Sequence, residues 1–273
     1  MNRIETQFGT NKLLDGLTPA ARQRIGLHLE RVSLPRDCVL SAAGTEVAFV
    51  YFPITCAVSL LAIESNGATP EIAAVGCEGM VGIGAIMGMT PEHGVAEVRA
   101  AGDAYRMRAS VLRAEFERDR SLRDVLLRYT HTLMVQIVQL AVCNQRHSVA
   151  QRLGRWLLNG ADWVPGSTEI RMTHERIARL LDVRREGVTA AAGELQRAGL
   201  VRYRRGSIAV VDRVGLESQA CECYGVIRSA LGSLQEFERN AEPETQWRET
   251  ARPAATAGRV ALHRCAGAAV AHR

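Results

Sequence analysis

The chain has 273 residues, 47% of them apolar and 23% charged; that balance belongs to a folded globular protein and excludes a disordered chain, a collagen or a small disulfide scaffold. No apolar run reaches about 18 residues without a charge or strongly polar side chain, so no membrane-spanning helix is expected. Net charge is +5, and Lys12 is the sole lysine. Codon bias can explain the choice of arginine, but not where the arginines lie. Between Arg146 and Arg213 there are 13 arginines and 7 acidic residues, so the basic excess sits in one stretch, as a phosphate backbone would require.

Met1-Asn2-Arg3-Ile4-Glu5 lacks the pattern of a signal peptide, and a cytoplasmic chain is expected. Residues 11–33 read as a short helical lead-in, with Thr18 as N-cap and Pro19 at the first helical position. From 34 to 108 short apolar runs alternate with turn residues: Val39-Leu40, Ala48 to Phe52, Val58 to Ile63, Glu71 to Val75, Gly94 to Ala100 and Ala104 to Met107. Strands this short at this spacing predict a β-sandwich or roll. From 110 the period becomes helical. Ser110 is placed to cap a short helix through Phe116, and a long helix follows at 121–145. Its Leu122, Val125, Leu126, Tyr129, Leu133, Ile137 and Leu140 form a narrow stripe suited to a partner helix. A helix packed on its own domain would show the same period. A further helix at 148–159 contains Leu153, Trp156 and Leu157. Asp162 to Ser167 is a loop, and past about 240 the chain loses periodicity and reads as a disordered tail.

The informative piece is Glu169 to Asp212. Thr173 precedes the periodic run Ile177, Ala178, Leu180, Leu181, which predicts a helix at about 174–181. Asp182-Val183-Arg184 is a tight turn. A second helix starts at Arg184 or Arg185 and ends before Gly199, with Val188, Ala191, Ala192 and Leu195 inward and Arg184, Arg185, Glu186 and Thr189 outward. That is a helix-turn-helix. Arginine can give guanine two hydrogen bonds and glutamate can accept from cytosine, so those four outward residues are the candidate base contacts. Leu200 to Val211, turning at Arg205-Gly206, predicts a β-hairpin wing. Thr173, Arg202, Arg204 and Arg205 are the candidate phosphate contacts.

Seven cysteines lie at 38, 56, 77, 143, 221, 223 and 265. Their odd number, irregular gaps and lack of a C-x-x-C pair predict reduced thiols and no metal site. Cys221 and Cys223 are too close for easy chelation by both thiolates alone. No Gly-rich phosphate loop, nucleophile elbow or zinc signature is present, so no enzyme is expected and no catalytic residue is named.

The run Thr173 to Thr189, then Leu195 to Val201 and Tyr203 to Ile208, resembles the winged helix-turn-helix of the Crp/Fnr family of bacterial transcription regulators. Val50-Tyr51-Phe52-Pro53, the Val58 strand and Val75 to Gly82 resemble that family's N-terminal cyclic-nucleotide-binding-like β-roll, and 121–145 its dimerisation helix. The resemblance covers about 11–239 and implies an α+β chain. It comprises a double-stranded β-helix or jelly-roll sensor at 11–120, a dimerisation helix at 121–145, a winged helix-turn-helix at 146–239 and a tail at 240–273. It implies a homodimer, seamed by Leu126, Leu133, Ile137 and Leu140, that reads an inverted repeat in double-stranded DNA, with RNA polymerase and a small-molecule effector as further partners. The alternative reading is a ligand-binding regulatory module that acts through protein partners without DNA. Departures from the family pattern are Ala190 where a second arginine is usual and Asp182 where the turn usually has glycine. The expected effector pocket contains Gly82, Ile83, Gly84 and Val95. The segment Glu92-His93-Gly94-Val95 lacks the arginine that would hold a cyclic phosphate, so cyclic AMP is not expected there. An N-terminal cysteine cluster for iron–sulfur chemistry is absent, and the scattered His28, His93, His131 and His147 name no haem ligand. No cofactor is assigned.

Overall fold

The computed structural model describes residues 11–88, 93–163 and 169–240, the last six of these by backbone alone. Glu92, the Pro165-Gly166 loop, Cys265 and the tail past 240 lie outside the described residues. The lead-in is α1 (Lys12–Asp15) and α2 (Pro19–Gly26). Thr18 caps α2 as expected, its side chain accepting the Ala21 N–H. The helical lead-in stops there, because residues 30–34 form a strand.

Seven strands build two sheets: β1 (Glu30–Leu34), β2 (Val39–Ser41), β3 (Phe49–Pro53), β4 (Ala57–Leu61), β5 (Glu71–Val75), β6 (Val95–Ala100) and β7 (Gly102–Arg108). One sheet has the order β1-β7-β3 and the other β2-β6-β4-β5, with every neighbour antiparallel. β1 escaped the sequence pattern because it is a polar edge strand. Its Glu30 and Arg31 gain partners only across the sheet, in the ion pairs Glu30–Arg106 and Arg31–Asp103. Between the sheets lie Leu34, Cys56, Val58, Val75, Val81, Ala96, Val98 and Ala104. A second core forms where Val50, Phe52 and Met107 meet Leu13, Leu14 and Ile25 of the lead-in helices. Buried Asn11 ties that lead-in to the roll, donating to the carbonyls of Pro53 and Gly79 at 2.9 Å each.

α3 (Ala109–Arg118) starts one residue before Ser110, which therefore does not cap it. α4 (Arg120–Arg146) is capped by Asp119, whose carboxylate accepts the Ser121 and Leu122 N–H groups. By length and composition alone α4 would pass as a membrane span, contrary to expectation. One of its faces is instead packed inside this chain, where Leu122, Leu126, Leu133 and Leu140 are buried. α5 (Val149–Trp163) follows, longer than expected by a turn. β8 (Glu169–Ile170), α6 (His174–Leu181), α7 (Arg185–Arg197), β9 (Val201–Arg204), β10 (Ser207–Val210), α8 (Arg213–Gln219) and α9 (Cys223–Asn240) complete the described chain, with α9 packed along α4.

Roll and C-terminal lobe share a junction. Leu61 and Val95 of the roll sit in the core built by Leu153, Trp156 and Leu157. Gly76 meets α5 so closely that a Cβ there would lie 2.4 Å from the Trp163 Cβ. Arg99 is buried between Trp156 and Trp163, its guanidinium 4.7 and 4.6 Å from their rings. It pairs with buried Glu71 at 3.3 Å, and Glu71 also accepts from Trp156 Nε1 at 3.2 Å. Those bonds satisfy charges that would otherwise be costly to bury.

Candidate nucleic-acid interface

α6 begins where the sequence predicts. Thr173 Oγ1 accepts the Arg176 N–H, and Ile177, Ala178, Leu180 and Leu181 are buried. Asp182 ends it with φ 50° and ψ 59°, the left-handed turn that Asp tolerates better than most residues. Val183 and Arg184 are the turn, and Arg184 is the N-cap of α7 without making a side-chain cap bond. Val188, Ala191, Ala192 and Leu195 face inward as expected, so α7 lies on α5 and α6 with its first turn open to solvent. Gly199 (φ 76°) redirects the chain into β9, and Gly206 (φ 76°) turns β9 into β10. β8 adds a third strand to this wing.

Arg184, Arg185 and Glu186 are exposed at the start of α7, and Arg202, Arg204 and Arg205 are exposed on the wing. Among the described residues no hydrogen bond or ion pair engages the side chains of these five arginines. Elsewhere arginines are commonly paired, as in Arg24–Glu115, Arg106–Glu30 and Arg213–Asp162. The start of α7 and the wing hairpin therefore each expose arginine side chains without an intramolecular ion pair. Thr189 is exposed on α7, but its hydroxyl is occupied: it lies 3.0 Å from His174 Nδ1 and donates to the Arg185 carbonyl at 3.1 Å. The Thr189 hydroxyl proton is thus committed to the Arg185 carbonyl in this structure. The Thr173 oxygen differs: it accepts the cap bond from the Arg176 N–H, which does not use its own O–H.

The sequence assigns no site role to His174 or Arg176. His174 is buried, bonded to Thr189 of α7 and stacked on Tyr203 of β9 with ring centroids 4.1 Å apart, so it joins the two helices to the wing. Burial, with nearby Arg185 adding to the effect, lowers its pKa below the ordinary 6.5 and favours the neutral ring. Arg176 pairs with Asp37 and Glu97 of the roll, and Arg36 donates to the Arg171 carbonyl. Neither residue shows a local pattern, because their partners are remote in sequence.

Two of the expected pocket residues join different cores. Ile83 packs on the core beside the lead-in helices and Val95 on the core of the C-terminal lobe. Gly82 takes φ 92°, and a Cβ there would crowd Val47 and Val50 at 3.2 Å. Arg99, the arginine of β6, is committed to Glu71. A cleft of about 240 Å³ does open nearby, but Lys12, Glu78, Asn159, Asp162, Trp163 and Arg228 line it. Burial pushes the Glu78 carboxyl up to about 7.

The four stripe residues assigned to a dimer seam also separate. Leu126, Leu133 and Leu140 are buried within the protomer, and only Ile137 is exposed. The apolar side chains that α4 leaves outward are Leu127, Met134, Ile137, Val138 and Val142. Contrary to the expectation of no metal-ligating group, Cys143, His147, Cys221 and Cys223 converge behind this helix.

Residues 151–219 match the family model described as the Crp-like helix-turn-helix domain. Solved structures share the wider fold. A putative Crp/Fnr-family transcriptional regulator from Eubacterium rectale is 19% identical, with a TM-score of 0.60 over 76% of this chain and 96% of its own. FixK2 from Bradyrhizobium japonicum is 17% identical, with a TM-score of 0.60 over 71% and 98%. The c-di-GMP-responsive global regulator CLP of Xanthomonas campestris is 18% identical, with a TM-score of 0.54 over 71% and 99%. Comparison with curated protein sequences yields no significant match.

Proposed function

We propose that this chain, whose residues 151–219 match the Crp-like helix-turn-helix domain and whose fold is shared by solved Crp/Fnr regulators, is a Crp/Fnr-type, homodimeric, sequence-specific DNA-binding transcription regulator of the cytoplasm. The observation that carries the reading is the set of unpaired arginines: Arg184 and Arg185 at the start of α7, with Arg202, Arg204 and Arg205 on the wing. α7 enters the major groove by its N-terminus. Arg185 then reaches a guanine edge, Glu186 accepts from cytosine or steadies Arg185, and Arg184 adds a second basic reader. The wing arginines contact phosphates and set the register without reading sequence.

Dimerisation places two α7 helices about one DNA turn, roughly 34 Å, apart on an inverted repeat. The exposed apolar face of α4 supports that step. RNA polymerase is the partner through which the bound dimer would alter transcription, and the roll is the sensor of a small molecule other than cyclic AMP. Binding titrations on a selected operator and on scrambled DNA, at several salt concentrations, test the proposal. Expected are tight operator binding and a steep salt slope, with much weaker binding to scrambled DNA. Absence of DNA binding even at low salt would turn the reading to a regulatory module acting through protein partners.

A further inference from the structure

Four metal-ligand side chains from two distant stretches meet at the C-terminal end of α4. Cys143 and His147 are one helical turn apart and share a face. Cys221 lies between α8 and α9 and Cys223 opens α9, both buried on either side of exposed Glu222. Their donor atoms all lie within 4.8 Å of one another. Cys143 Sγ is 3.5 Å from Cys221 Sγ, and Cys223 Sγ is 3.5 Å from His147 Nδ1. A tetrahedron with bonds of about 2.3 Å to sulfur and about 2.0 Å to nitrogen has edges of about 3.5–3.8 Å. Two donor pairs therefore stand at the edge length of such a tetrahedron and the others lie within 4.8 Å, close enough to close on one ion. A multi-iron cluster would have to sit between them and would spread them further.

The surroundings match. His147 Nε2 lies 3.2 Å from a Glu222 carboxylate oxygen. As a donor to Glu222, Nε2 leaves the Nδ1 lone pair facing the sulfurs, the carboxylate–histidine pairing that orients metal-bound imidazoles. Gln139 Nε2 donates to Cys223 Sγ at 3.2 Å, which suits a thiolate. The three cysteines are buried, so no place is open for a water ligand. Arg155 is buried close to Cys143, with its Nε unpartnered. Three thiolates around a divalent ion leave one negative charge for it to offset.

We propose that Cys143, His147, Cys221 and Cys223 form a closed Cys3His site for Zn²⁺. Soft thiolates with one imidazole in tetrahedral array select zinc over magnesium, calcium or manganese. Full protein ligation makes the site structural. It fastens the start of α9, and with it the end of the DNA-binding lobe, to α4. Binding releases the thiol protons to solvent, so uptake is pH-dependent.

The test uses the full chain, purified under reductant without chelator. Elemental analysis should find about one zinc per chain, and Co²⁺ exchanged into the wild type should show intense tetrahedral bands with sulfur-to-metal charge transfer. Cys221→Ser and His147→Ala should each lower metal content about tenfold under the same conditions, while Cys38→Ser, on the roll, keeps it. A wild-type chain that takes up no zinc when offered it under reductant, or binds Co²⁺ with only the weak bands of an octahedral ion, overturns the proposal. So does a Cys143–Cys221 disulfide that persists through the same reducing preparation. The wild-type Co²⁺ spectrum keeps the test decisive if the variants do not fold.

Discussion

Replacing Met134 and Val138 of α4 with aspartate should split the dimer while leaving the protomer folded. Met134 is 59% exposed and Val138 61%. Fully burying such a side chain contributes about 1.5–3 kcal/mol. Covering the exposed part of each across a two-fold seam, counted on both copies, therefore contributes about 2–4 kcal/mol per position. The double variant loses about 4–7 kcal/mol, a rise of about 10³- to 10⁵-fold in the dimer dissociation constant, before any cost of placing carboxylates in the seam. Sedimentation across a concentration series reads that constant, and circular dichroism reads the fold. Leu133→Asp is the contrasting control. Leu133 is 8% exposed, so its carboxylate enters the protomer's own core and should lower the thermal midpoint before it changes association. A wild-type chain that is monomeric at micromolar concentration refutes the seam. So does a folded Met134→Asp/Val138→Asp variant that dimerises like wild type.

Arg185→Ala should cost about 1–3 kcal/mol on the operator and relax the preference at one base pair, whereas Arg204→Ala or Arg205→Ala should weaken all DNAs alike and lower the salt slope by about one unit. Equal weakening of operator and scrambled DNA by Arg185→Ala would make it a phosphate contact. Calorimetry with cyclic AMP should show nothing tighter than about millimolar, near −4 kcal/mol; micromolar affinity would contradict the commitment of Arg99 to Glu71. Burial holds the Glu78 carboxyl near 7 against an ordinary 4.5, so the folded chain keeps a proton through that window that the unfolded chain releases. Stability from this group should therefore fall as pH rises from 4.5 to 7. Glu78→Gln should remove that slope and be more stable than wild type by about 3 kcal/mol at pH 8. Denaturant midpoints measured against pH check this, and parallel curves for the two proteins would refute it.

The DNA-binding motif was legible in the sequence because its signals are local. Thr173 caps its own helix, Asp182 and Gly206 turn their own neighbours, and the spacing of Val188, Ala191, Ala192 and Leu195 fixes which side of α7 is exposed. Strands with apolar faces were readable for the same reason, while β1, whose polar residues are balanced across the sheet, was not. At Thr189 the fold adds a contact that local chemistry does not show: its place on α7 suits a base contact, and its hydroxyl also meets His174, fifteen residues away.

What only tertiary structure decided was which surfaces meet. A helical stripe says that one side of α4 is covered, not by what. The roll and α9 cover the Leu126, Leu133, Leu140 side, which leaves the neighbouring Leu127, Met134, Val138 side exposed. The buried Arg99–Glu71 pair and the Arg176 bridge to Asp37 and Glu97 depend in the same way on the docking of two lobes. The cysteines illustrate the limit most sharply. Cys143-x-x-x-His147 and Cys221-x-Cys223 are each two donors, too few to hold an ion and each common by chance. Folding α9 back along α4 closes the 78-residue separation and brings all four donors within 4.8 Å of one another, because ligand geometry is a property of positions in space and the chain records only order.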